Sequence, residues 1–138
     1  MIRTHILITL MVGAGASIVL WQMRPPVWTA MQTVGLCLLV AGFVLWTIAR
    51  FQLGASFAVT AQARHLVTHG LYSKLRNPIY VFGSCVFVGI ILVLGRPAWL
   101  LIFLVIIPLQ IVRSRKESAV LEATFGDEYR KYRAGTWF

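Results

Sequence analysis

The sequence predicts an all-α, polytopic membrane protein with about four transmembrane helices, a cytoplasmic loop and a C-terminal cytoplasmic helix. Three observations carry that class. Hydrophobic residues make up 59% of the 138 and charged residues 12%, with a mean hydropathy of +0.79, outside the range of ordinary soluble domains. All four acidic residues, Glu117, Glu122, Asp127 and Glu128, fall in one stretch near the C-terminal end, so none interrupts the apolar runs before it. Those runs are separated by proline, glycine and basic residues, as short-looped spans require. The length suits one domain over 1–138 and leaves no room for a membrane bundle plus a separate soluble enzyme domain.

The first run, 6–23, is nearly charge-free and ends at Arg24-Pro25-Pro26, where paired prolines stop a helix. Its small residues, Gly13 to Ser17, would suit a signal peptide cleavage site. The apolar run continues past them through Trp21, so it reads as a span whose small residues allow close helix approach. The second run, 27–49, has Trp28 at its interfacial end and Arg50 at its close, and is the clearest span. Residues 79–94 and 98–112 are shorter runs separated by Gly95-Arg96-Pro97, a tight turn. Neither has a polar face, so they read as a helical hairpin in the membrane rather than as soluble core helices.

Between the second and third spans, residues 50–78 are read as a loop resting against the membrane. Orientation follows from Lys and Arg in the connections. Arg3, the four basic residues of 50–78 and the six from Arg113 onward share one side, and only Arg24 and Arg96 lie on the other. Eleven against two places both termini and the loop in the cytoplasm, in a membrane of the bacterial inner type. A helix is expected to continue out of the fourth span, with Glu117, Leu121 and Phe125 on one face, Gly126 as its stop and Asp127 as a new N-cap.

Other features carry less. Cys37 and Cys85 lie inside apolar runs, where a thiol is a small hydrophobe. His65 and His69 are four apart, but no further ligand is spaced to complete a metal set, so no metal is assigned. The basic residues sit beside spans rather than in a basic domain, which argues against nucleic acid and for anionic lipid headgroups. Tyr72, Tyr80, Tyr129 and Tyr132 have the ordinary reading of interfacial belt residues, and Arg113 with Glu117 that of a solvated helical pair.

Taken together, Gly70-Leu71-Tyr72, then Arg76-Asn77-Pro78-Ile79-Tyr80, then Glu117, Leu121, Phe125-Gly126 and Tyr129 resemble the isoprenylcysteine carboxyl methyltransferase family, and the related phospholipid methyltransferases, over residues 50–138. The resemblance implies that elements 50–78 and 113–138 enclose S-adenosylmethionine. It implies that His65, Leu66, Val67, Tyr72, Asn77, Pro78, Ile79, Tyr80 and Glu117 bind it, with Glu117 and Arg113 as the catalytic pair. It implies that Arg113 meets the acceptor's carboxylate, a role Arg115 at the same membrane edge could also fill, and that the acceptor is a lipid or prenylated amphiphile. The chain departs from the family in having Asn77 where histidine is usual, Ser118 where a second glutamate is usual, and Gly83 one residue later than the common spacing.

A site so sparse in acids and bases suits methyl transfer from a sulfonium, which needs in-line placement above all. A carboxylate acceptor is already ionised and needs no base, whereas an amine would have to lose a proton and no base is at hand. The alternatives are a small four-span transporter, which normally couples through an intramembrane acid that this chain lacks, and an inactive scaffold of the same fold.

Overall fold

A computed structural model of the chain describes residues 2–22, 27–54 and 66–137. Helix accounts for most of them, and no strand occurs among the described residues. In order, the elements are α1 (Ile2–Gln22), α2 (Ala30–Leu53), a 3-10 turn (Gly70–Ser73), α3 (Pro78–Val93), a 3-10 segment (Pro97–Ile102), α4 (Phe103–Phe125) and α5 (Asp127–Ala134). They form two compact units: Met1–Thr47 with Phe82–Leu100, and Ile48–Val81 with Leu101–Phe138.

In the first unit, α2 begins with a reciprocal cap. The Gln32 backbone N–H donates to Thr29 Oγ1 at 3.3 Å, while Gln32 Oε1 accepts from the Thr29 N–H at 3.0 Å, so two orphan donors are satisfied. Gln32 Nε2 also donates to the Val93 carbonyl at 3.2 Å, closing one of the open acceptors at the end of α3. The α3 end is completed at Gly95, φ +66, which adopts the left-handed conformation that a side chain resists. There the Arg96 N–H reaches the Ile91 carbonyl at 3.2 Å and the Gly95 N–H the Leu92 carbonyl at 3.0 Å, both bonds of a Schellman stop.

Between these ends α2 and α3 pack almost backbone to backbone. A β-carbon at Gly89 would sit 2.5 Å from the Leu39 nitrogen, and one at Gly42 3.0 Å from the Cys85 β-carbon. In lipid, where apolar side chains gain little by leaving solvent, such close approach through small residues is a principal source of helix association.

In the second unit, α4 carries Pro108 inside it and runs from an uncharged first half, polar only at Gln110, to a charged second half. It stops at Gly126, φ +50, whose N–H bonds the Glu122 carbonyl at 2.9 Å. The N-cap of α5 is Gly126 and not Asp127, because the glycine makes the left-handed turn and Asp127 is already the first helical residue. Its carboxylate reaches forward to Arg130 at 3.1 Å instead. Asp127 and Glu128 in the first turn and Lys131 and Arg133 in the last follow the helix dipole.

Two helical segments are long and apolar enough to cross a membrane, Ala30–Leu53 and Pro97–Phe125; Ile6–Ile18 and Pro78–Val93 are shorter apolar helices. Their surfaces fit lipid, since Leu101, Leu104, Val105 and Leu109 are all well exposed, Leu104 at 74%. Exposed apolar area on this scale marks a surface covered by something other than water, and with these helices the cover is a membrane. The expected boundaries shift at several places, α1 opening at Ile2 and α2 at Ala30. Helix α2 runs on through Phe51–Leu53, assigned above to the loop, and the fourth apolar run opens as a 3-10 segment before becoming α-helical.

Because the neighbours of Gly89 are backbone atoms that cannot yield, Gly89→Ala is expected to cost about 1–3 kcal/mol. Gly15→Ala, with open space at its β-carbon, is expected to cost nothing. Thermal unfolding of the two variants in the same detergent checks the contrast, and equal melting temperatures would contradict it.

Candidate functional site

The loop before α3 is built on Gly70, which has φ +62 and opens the 3-10 turn. The Leu71 N–H donates to Gln52 Oε1 at 2.8 Å, and a β-carbon at Gly70 would overlap the same Gln52 amide. Glycine is therefore required both for the backbone angle and for the approach of the α2 end. Tyr72 is buried, and its carbonyl accepts from the Tyr132 hydroxyl at 2.7 Å. Further along, the Trp137 N–H donates to the Lys74 carbonyl at 2.7 Å and the Arg76 N–H to the Trp137 carbonyl at 3.2 Å. The loop is thus clasped by α2, by α5 and by the segment after α5.

That clasped loop delivers Asn77 and Pro78. Pro78 is fully buried and takes the first helical position of α3, where its missing N–H has no cost. The Asn77 carbonyl accepts from the Tyr80 and Val81 N–H groups, and its side-chain Nδ2 donates to Ser114 Oγ at 2.8 Å. One turn into α3, the Tyr80 hydroxyl donates to Glu117 Oε1 at 2.6 Å, a short bond of the charge-assisted kind. Arg113 Nε donates to the same oxygen at 3.2 Å, and its guanidinium carbon lies 5.7 Å from the centre of the Tyr80 ring. Tyr80, Arg113 and Glu117 form one cluster, with Asn77 and Ser114 a turn to its side.

Burial pushes the Tyr72 phenol well above its ordinary value, with the nearby Tyr132, Glu117 and Tyr80 adding to it. Burial also raises Tyr132, to about 12, helped by Tyr129 and opposed by the positive charge of Arg76. Both phenols therefore stay neutral donors through the physiological range.

Of the residues named from sequence, Tyr80, Arg113 and Glu117 are in direct contact, and Asn77 joins them through α4. Tyr72 is buried in the supporting loop, Ile79 is half-buried at the start of α3, and Leu66 and Val67 are half-buried in the segment leading to Gly70. His65 lies outside the described residues. Arg115 is exposed, two residues on from Arg113 and so on the far side of α4. Sequence reasoning did not pick out Ser114, Gln52, Tyr132 or Trp137. Ser114 was findable, since three residues before Glu117 on a helix is the same face. Nothing in the pattern pointed to Trp137, whose role is made by its backbone.

Residues 30–128 match the family model described as Phospholipid methyltransferase. The chain belongs to that family. A relative named Protein-S-isoprenylcysteine O-methyltransferase, from Schizosaccharomyces pombe, is 34% identical over 113 residues, covering 78% of this chain and 48% of that protein. The chain thus spans about half the length of this curated relative. No solved structure matches. Within the phospholipid methyltransferase match fall Asn77, Tyr80, Arg113, Ser114 and Glu117; α1, Tyr132 and Trp137 lie beyond it.

Burial of the Tyr132 phenol gives a pH-dependent contribution whose sign is fixed. A phenol raised from 10 to about 12 on folding contributes stability that is complete below pH 10 and lost as pH rises through about 12. Tyr132→Phe is expected to lower the melting temperature at pH 8 and to abolish that alkaline loss. Melting curves at pH 8 and above pH 11 check it, and an unchanged alkaline slope in the variant would contradict it.

Proposed function

We propose that the protein is an S-adenosylmethionine-dependent methyltransferase acting on a membrane-embedded lipid or prenylated amphiphile, at a carboxylate. The observation that carries this reading is the Tyr80–Glu117–Arg113 cluster: a carboxylate, a phenol and a guanidinium meeting on one oxygen, inside the segment that matches a methyltransferase family. The names of the family and of the relative, one concerning phospholipid and the other isoprenylcysteine, support an amphiphilic acceptor.

The residues fit the methyl donor. A carboxylate can accept about four hydrogen bonds, and among the described residues Glu117 takes one from Tyr80 and one from Arg113, both on Oε1. It keeps capacity for hydroxyl or amino donors of a nucleoside. Arg76 Nε is buried and has no partner among the described residues, leaving a cationic donor for the carboxylate of an amino-acid moiety. When bound, S-adenosylmethionine supplies an electrophilic methyl on a positively charged sulfur. Glu117 and Tyr80 hold the donor, and the half-exposed Arg113, anchored at its Nε, has a planar guanidinium suited to a carboxylate acceptor. No group on the chain needs to remove a proton from an ionised carboxylate, so positioning carries the rate.

In this reading the chain is a single integral membrane domain of four spans, with both termini, the 50–78 element and the 113–138 element in the cytoplasm of a bacterial-type inner membrane. The charge count of the connections supports that orientation, and the family membership weighs against a transporter.

Calorimetry of the detergent-purified protein with S-adenosylhomocysteine tests the proposal. Binding is expected, weakened about tenfold or more by Glu117→Ala, because a hydrogen bond to a charged group is removed, and a few-fold by Tyr80→Phe. Absence of binding by the folded parent would overturn it.

A further inference from the structure

The first unit contains an apolar groove of about 350 Å³, with walls from α1, α2 and α3. We propose that it seats one acyl chain of a bilayer phospholipid. Its chemistry admits little else. Ser17 supplies the only side-chain oxygen in the lining, and that hydroxyl already donates to the Gly13 carbonyl at 2.8 Å. A space with no free donor and a single hydroxyl as acceptor lacks the two to four partners an ordered water needs, and offers too little to hold a headgroup, a sugar or a nucleotide.

Its depth identifies the medium that reaches it. The α2 wall runs from Leu39 to Val44, the middle of a helix, Ala30–Leu53, that is long and apolar enough to cross a membrane. At the middle of such a helix the surroundings are hydrocarbon chains, some 15 Å from either headgroup layer. The rim is apolar as well: Val40 and Val44 are about half exposed, whereas a pocket entered from water carries a polar rim. On α3 the lining runs from Val86 to Val93, with Leu94 just past the helix end, about 10 Å of helix rise, a length along which a chain aligned with the helices can lie.

The groove is separate from the methyl-transfer reading. Its one polar side chain, Ser17, has its proton already bonded within α1, and its α1 wall lies outside the segment matched to the phospholipid methyltransferase family. A bilayer lipid is therefore the occupant, and it keeps the small-residue face of α1 in van der Waals contact where the helices alone would leave a void.

Gly15 gives the means of testing this, because it lines the groove and nothing lies within 4 Å of where its β-carbon would be. Gly15→Leu fills the space from α1 while improving helix propensity, and Gly15→Ala changes propensity with little filling. The full chain is placed in phosphatidylcholine nanodiscs containing a trace of phosphatidylcholine with a diazirine on one acyl chain. After irradiation the labelled peptides are mapped. Labelling is expected on the peptides carrying Val12 and Phe43-Val44, reduced at least several-fold in Gly15→Leu and unchanged in Gly15→Ala. If Gly15→Leu disturbs the circular dichroism, Ala16→Leu fills the groove from the same wall and is read in the same way. Equal labelling of the parent and the filled variant would overturn the proposal. So would loss of the label on adding a prenylated cysteine compound, which would assign the groove to an acceptor's tail instead.

Discussion

One carboxylate oxygen, Glu117 Oε1, is the acceptor on which the described site depends. It takes the Tyr80 hydroxyl at 2.6 Å from the start of α3 and the Arg113 Nε at 3.2 Å from one turn earlier in α4. The Arg113–Glu117 pair alone would stabilise a helix by only a few tenths of a kcal/mol, less in this orientation with the cation first. The Tyr80 bond changes its meaning, because it joins two elements distant in sequence and fixes which way the carboxylate points. Asn77 repeats the connection through Ser114, so α3 and α4 are tied at two places within a turn.

The rest of the second unit holds Tyr80 at that position. Tyr80 follows Pro78, Pro78 follows the clasped loop, and the loop is held by backbone groups bonded to Gln52, Tyr132 and Trp137. The same economy of polar groups governs the first unit, where Gln32 caps α2 with one end of its amide and closes α3 with the other. In a membrane, unpaired backbone groups cost several kcal/mol each, so a side chain that serves two helix ends is favoured. Where no polar group is needed, the helices instead approach through glycine, as Gly89 does against Leu39.

The all-α character was legible in the sequence because a bilayer imposes length and apolarity on any helix that crosses it, and two helix ends followed from Gly95 and Gly126. The boundary errors have physical causes. Phe51–Leu53 continue α2 because Gln52 has a partner at Leu71, a tertiary contact that no local pattern encodes. Asp127 was a reasonable N-cap by residue type, yet the left-handed Gly126 took that position. The joint motif brought Tyr80, Arg113 and Glu117 together as candidates, and the structure places their side chains in contact. Tyr132 and Trp137 were not, since their partners are main-chain atoms, which leave no signature in residue identity.

In the proposed function, the loop leading into α3 and the charged half of α4 form one binding site for S-adenosylmethionine. Direct ultraviolet crosslinking of methyl-tritiated S-adenosylmethionine to the intact protein, followed by peptide mapping, tests it most directly. Label is expected both on the segment from Leu66 to Tyr80 and on that from Arg113 to Leu121, and is expected to fall in both together when Glu117 is replaced by alanine. Label confined to one segment, or label elsewhere that is indifferent to Glu117, would contradict it.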